Sequence, residues 1–190
     1  MIKEKSVTLF INTTMLNKSA GLLITILLSI PAICFAQRVE DAALLIHSPA
    51  ELSTWLSRDF KYELEIPDYW QSADETLHSG KGDCDDFAIL SSAILTQLGV
   101  PNQILVIKFR DLKQAHAVCV FQEKESGNYN FISNQSIIAT NKQLLREAVE
   151  AIYPDWEAIV FTNQNKEYQK VITRDKTKNA AYVHLETTLY

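Results

Sequence analysis

The chain has 190 residues, 47% of them hydrophobic, with 18 basic against 23 acidic side chains and a net charge of −5. That is enough apolar material for a real core, and the length suits one domain rather than several. An acidic balance favours neither nucleic acid nor an anionic membrane surface as a partner, and argues against nucleic acid.

Lys18 is followed by an uncharged apolar run, Ser19–Ala36, that breaks at Pro31 and ends in a small residue before Gln37, Arg38 and Glu40. A basic flank, an apolar core and a small residue at the cut make a secretory signal peptide over residues 1–36. A retained membrane anchor is the competing reading, and Pro31 and Ala36 fit a cleavage region better than the middle of a span. Cys34 invites a lipid-anchor reading, but Ile33 before it is bulky where such sites want a small residue. Met15 opens a compact signal of its own and is a candidate true start. Without the run the chain loses Lys3, Lys5, Lys18 and Glu4, leaving 15 basic against 22 acidic residues (15 − 22 = −7). The expected location is periplasmic or secreted, with no stable membrane insertion after cleavage. Cys84 and Cys119 are then the remaining cysteines, and one disulfide is the plain expectation for an oxidising compartment.

Ser48, Pro49 and Glu51 mark a helix start, with Glu51 able to close a capping box. Leu52, Trp55, Leu56 and Phe60 follow at spacings of three and four, a buried face ending near Lys61. Tyr62–Trp70 reads as extended or irregular and is interrupted by Pro67. Ser72 and Glu75 form a second capping-box pattern for a short helix that stops at Gly80. Asp83 then caps a helix with Asp86 three residues on. From Phe87 to Leu98 that helix is apolar nearly all round, which predicts the buried one. Gly99 ends it and Pro101 prevents its return.

The period then changes to two. Ile104–Phe109, Ala115–Phe121 and Tyr129–Ser133 read as strands joined by short polar links, an antiparallel meander. Asn141 is a candidate cap for a helix over Lys142–Ile152, which Pro154 ends. Trp156 should pack below that helix. Glu157–Phe161 and Tyr168–Thr173 are a last pair of strands. The polar tail, residues 176–190, is weakly patterned and reads as loose, leaving 37–175 as the folded domain.

Cys84, between two glycines and the buried helix, is placed to be a nucleophile. Unpaired amides at a helix N-terminus favour a thiolate, but Asp83, Asp85 and Asp86 oppose it. The thiol therefore needs a base. His116, on a strand after the helix, is the best candidate, because His47 and His78 precede the element and His184 lies in the tail. Side chains three apart on a strand face opposite sides, so His116 and Cys119 cannot both meet Cys84, and the dyad and the disulfide exclude each other. Three carboxylates in four residues could also hold calcium; the alternative is that Asp83 caps and the others are solvated. The absence of CxxC or HxxxH spacing argues against zinc.

The stretch WQSADETLHSGKGDCDDFAILSSAILTQLGVP, followed by QAHAVCVF, resembles the bacterial transglutaminase-like cysteine proteins. The resemblance covers roughly Ser48–Gln135. It implies an α+β, papain-like fold with a buried helix carrying the cysteine against an antiparallel sheet. It also implies Cys84 as nucleophile and His116 as base, with no cofactor required. In related periplasmic proteases acidic residues flanking the cysteine bind calcium, and Asp83 and Asp85 stand at those positions. The family's third member is an Asp on the next strand; the matching position here is Ser133, followed by Asn134. A serine hydroxyl orients an imidazole weakly and hardly stabilises its cation. Asn134 could orient the ring only if a bulge turned it to the same face. For an oxyanion hole, Trp70, Gln71 and His78 are near in sequence and none stands out. The expected chemistry is attack on a peptide or carboxamide carbonyl of a protein or peptide substrate through an acyl-enzyme, with hydrolysis ahead of amine transfer. The alternative is a non-catalytic protein-binding module with a degenerate triad.

Overall fold

The computed structural model describes residues 38–110, 112 and 114–175. The expected signal segment with Cys34, and the tail with His184, lie outside the described residues. Among the described residues no helix is long and apolar enough to cross a membrane.

The first helices are set by their caps. A short α1, Val39–Ala43, precedes α2, Pro49–Asp59. Ser48 Oγ accepts the Glu51 amide at 3.2 Å, as the pattern predicts. The Glu51 carboxylate, however, takes the amide of His47 rather than that of the cap residue. At α3, Ala73–Ser79, Ser72 and Glu75 form the full reciprocal box, which satisfies two of the amides a helix start leaves bare. Gly80 ends α3 at φ 64°, a left-handed conformation that glycine adopts without strain. Two two-residue strands, β1 (Lys61–Tyr62) and β2 (Lys81–Gly82), pair in parallel on either side of α3.

Helix α4, Cys84–Gln97, opens immediately after β2. Phe87, Ile89, Leu90, Ile94 and Leu95 are all but fully buried. At roughly 1.5–3 kcal/mol for each such side chain, this one helix contributes on the order of the whole net stability of a domain of this size. The position of Cys84 is therefore fixed by a deeply buried helix.

Six strands form one antiparallel sheet in the order β6-β5-β4-β3-β7-β8: β3 Asn102–Phe109, β4 Ala115–Gln122, β5 Tyr129–Ser133, β6 Ser136–Ile138, β7 Trp156–Thr162 and β8 Tyr168–Thr173. The expected meander is β3-β4-β5, and β6 extends it through a tight turn at Asn134 and Gln135. Alternation divides the sheet cleanly. Ile104, Val106, Ala117, Cys119 and Ile132 face the core shared with α4. Leu105, Ile107, Val118, Val120 and Phe131 face a second core with α5, Leu145–Ile152, and Trp156. The fold is α+β, with helices on both faces of an antiparallel sheet.

Helix α5 starts three residues later than its expected start at Lys142. Its cap residue is Leu144, with no side-chain cap. The preceding backbone is committed elsewhere: Thr140 Oγ1 accepts the Lys142 amide, and the Lys142 carbonyl accepts the Tyr129 amide of β5. Trp156 is fully buried beside α5, as its place after Pro154 suggests.

Candidate active site

Gly82 admits α4 to its place. A Cβ there would lie 2.6 Å from both Cβ and Oδ2 of Asp86. Asp86 cannot yield, because its carboxylate accepts the Gln71 amide at 2.7 Å, the Asp83 amide at 3.0 Å and the Gln71 side chain at 3.2 Å. Gly82→Ala should therefore destabilise the protein by about 2–4 kcal/mol, through overpacking and loss of buried hydrogen bonds. Urea denaturation checks this, and a change under about 0.5 kcal/mol would contradict it.

Asp83 caps α4 as expected, its Oδ1 accepting the Asp85 amide at 3.3 Å. The reading of its neighbours as solvated is corrected: Asp85 and Asp86 are buried. Asp86 is spent on the capping box and Gln71. Asp85 is different, because its Oδ1 is buried without a hydrogen-bond partner. Burial first, then the charges of Asp83, Asp86 and Asp68, push its carboxyl up to about 9. Ligand atoms of Asp83, Cys84 and Asp85 all lie within 4.8 Å of one another. The orphaned carboxylate oxygen beside a second carboxylate fits a hard divalent cation, whereas the sulfur does not.

Both thiols are free, so the disulfide is not formed. Cys119 is fully buried with Sγ 3.9 Å from Asn102 Oδ1. Cys84 is partly buried at the first turn of α4. Burial first, and then Asp85, Asp83 and Asp68, push its thiol up to about 12 against the Ala117 amide, which lowers it. Pairing between β4 and β5 ends at Val118 and Ser133, so Ala117 has no β5 partner, and Cys84 meets the sheet where β5 stops.

His116 is next to Ala117 but on the opposite face of β4. The sequence suggested a histidine turned directly onto the helix; instead Cys119 shares the α4 face and His116 lies toward α5. Its Nε2 is 2.8 Å from Ser133 Oγ, and burial holds it below its usual value, against the opposing charge of Asp83. Among the described residues no hydrogen bond joins His116 to Cys84. Ser133 is thus the residue brought to the imidazole. Asn134 lies beyond it in the turn, at φ 52°, with Oδ1 buried and unpartnered. No bulge interrupts β5 to turn it back.

Of the other residues considered, the Gln71 side chain is occupied by Glu65, Asp86 and Ser79. His78 is turned back to the Asp74 carbonyl. Trp70 packs partly buried against the α4 core. Two residues of the 62–70 segment, Tyr62 and Asp68, interact electrostatically with Cys84. Tyr153, at the end of α5, was not legible as a site residue: its ring centroid is 5.9 Å from that of His116, a proximity that only the tertiary fold creates.

The model of the transglutaminase-like domain family matches residues 43–153. No curated protein matches the chain. Among solved structures, calcium-bound LapG of Legionella pneumophila is similar at 23% identity and a TM-score of 0.48, over 73% of this chain and 75% of that one. An EGTA-treated form of LapG gives 19% identity and 0.47, over 75% and 87%. A candidate cysteine protease from Cytophaga hutchinsonii gives 16% and 0.43, over 74% of this chain and 51% of that one.

Proposed function

The chain belongs to the transglutaminase-like domain family, and on that premise we propose that it is a periplasmic or secreted thiol enzyme that cleaves peptide or carboxamide bonds of a protein substrate. One observation carries this reading: Cys84 opens a buried helix with its sulfur on the Ala117 amide, one residue from an imidazole whose Nε2 is held by Ser133. With Nε2–H donated to Ser133, Nδ1 keeps its lone pair. It takes the Cys84 proton, and the thiolate attacks the carbonyl carbon. The imidazolium then protonates the leaving amine as the acyl-enzyme forms, and water, deprotonated in turn by His116, releases the acid. Hydrolysis is preferred to amine transfer because water is the abundant nucleophile. The Cys84 amide is at a helix start, where it has no intrahelical partner, and is a candidate oxyanion donor.

Asp83 and Asp85 would hold calcium, the orphaned Asp85 Oδ1 being the supporting observation. Bound there, it supplies positive charge that offsets the carboxylates opposing the Cys84 thiolate. The apolar run Ser19–Ala36 supports export, and the mature protein should begin at Gln37 by N-terminal sequencing.

The test is thiol reactivity. Iodoacetamide at pH 7 with calcium present should alkylate Cys84 at least about a hundredfold faster than Cys119, as a base-assisted thiol differs from an inert buried one. Equal, sluggish labelling of both would sink the enzyme reading in favour of the binding module.

A further inference from the structure

A serine in place of a carboxylate creates a problem of tautomers. A carboxylate only accepts, so it compels the imidazole to present N–H to it. A hydroxyl both donates and accepts. Unless something takes its proton, Ser133 can donate to Nε2 and leave the proton of His116 on Nδ1, where it blocks the base. Ser133 Oγ lies 2.8 Å from His116 Nε2, and which way that hydrogen bond runs depends on where the serine's own proton goes.

Tyr153 supplies what is missing. Its ring is tilted 57° against the His116 ring at 5.9 Å, and edge contacts with Phe109 and Phe131 fix it there. Its hydroxyl oxygen is sealed from solvent with no hydrogen bond of regular geometry. Burial raises its pKa, so the phenol stays neutral at physiological pH. The Ser133 hydroxyl acts on it in the opposite sense, and the Cys84 charge also reaches it. The hydroxyl therefore lies beside the serine and within the field of the sulfur, and it is too enclosed to touch substrate.

We propose that Tyr153 is a positioning residue for His116: its hydroxyl oxygen accepts the Ser133 proton, turning the serine lone pairs to His116 Nε2–H and freeing Nδ1 to act as base. The inference rests on the thiol-enzyme reading and assigns the work of the absent carboxylate to a serine–tyrosine pair.

The experiment compares the wild type with Tyr153→Phe, Asn134→Ala, Ser133→Asp and the double variant Ser133→Asp/Tyr153→Phe. It uses two readouts: iodoacetamide alkylation of Cys84 at pH 7, and the ¹⁵N signals of the His116 ring. Tyr153→Phe keeps the ring and its packing. It should slow alkylation roughly tenfold, the scale of one lost hydrogen bond to the dyad, and move the His116 proton from Nε2 to Nδ1. In the Ser133→Asp background the same change should have no effect, because the carboxylate fixes the tautomer alone. An unchanged rate and tautomer in Tyr153→Phe would overturn the proposal, as would an equal slowing in the Ser133→Asp background. A tautomer change from Asn134→Ala with none from Tyr153→Phe would also overturn it, in favour of the other orphaned oxygen. If Cys84 of the wild type is reactive and depends on His116 while Tyr153→Phe is silent, this inference falls alone; if Cys84 is inert, the thiol-enzyme reading falls with it.

Discussion

Replacing His116 by alanine should slow alkylation of Cys84 at pH 7 by at least about two orders of magnitude, the range of a lost general base, and leave Cys119 unchanged. The reason lies in how badly the site suits a lone thiolate. With its pKa pushed up to about 12, an isolated Cys84 would be ionised at pH 7 in about one molecule in a hundred thousand. The helix start and the Ala117 amide favour the anion, but burial and the carboxylates outweigh them. A neutral imidazole changes the balance, because proton transfer makes a thiolate and an imidazolium together. Burial depresses His116 below its ordinary value, so it is neutral and able to accept a proton at pH 7. The pH profile separates the two cases. In the wild type the rate should rise as His116 loses its proton and level off by about pH 6.5, the unperturbed histidine value. In His116→Ala it should keep climbing toward the bare thiol near 12. A wild-type rate that climbs in the same way would show that His116 does not serve Cys84.

The placement of that cysteine could be read from the chain because local signals agree there. Gly80, Asp83 with Asp86, the apolar run and Gly99-Val100-Pro101 all set the same helix. The meander was equally legible from its period of two. What the sequence could not convey was the face. Alternation says that His116 and Cys119 are on opposite sides of β4, but which side meets α4 depends on how the sheet and helix pack, and Cys119 takes that side. The imidazole instead lies on the far face, at the strand end where β5 stops. Ser133 was legible through the family resemblance, as the position matching that family's Asp, and Tyr153 was not legible at all, because α5 brings it across 37 residues of chain from His116. The burial of Asp85 and Asp86 was hidden for a different reason. An acidic helix start is usually solvated, and here the segment carrying Gln71 covers it.

That burial gives the second large effect. Calcium should raise the melting temperature of the protein at pH 8, EGTA should reverse it, and Asp85→Asn should abolish the response. An Asp85 carboxyl with its folded pKa raised to about 9 is protonated in the native state where the unfolded chain has lost its proton. Stability from this group is fully present below about pH 4, the unfolded value, and is lost as pH rises through about 9. At pH 8 the metal-free protein therefore either retains a proton against the solution or buries a charge beside Asp83 and Asp86. A divalent cation removes that conflict. At a hundred times its dissociation constant a ligand adds about 2.7 kcal/mol, which for a domain of this length is roughly 5–10 °C. Asparagine has nearly the same shape and no charge, so Asp85→Asn should melt higher than the metal-free wild type at pH 8 and lose most of its decline between pH 5 and 9. The same variant should label Cys84 at a rate independent of calcium, since the carboxylate the ion was to offset is gone. Scanning calorimetry at pH 5 and pH 8, with calcium, magnesium or EGTA, distinguishes the cases. A calcium shift that survives Asp85→Asn would place the ion elsewhere; no shift in the wild type would leave Asp83 and Asp85 as a buried acidic pair that holds a proton instead of a metal.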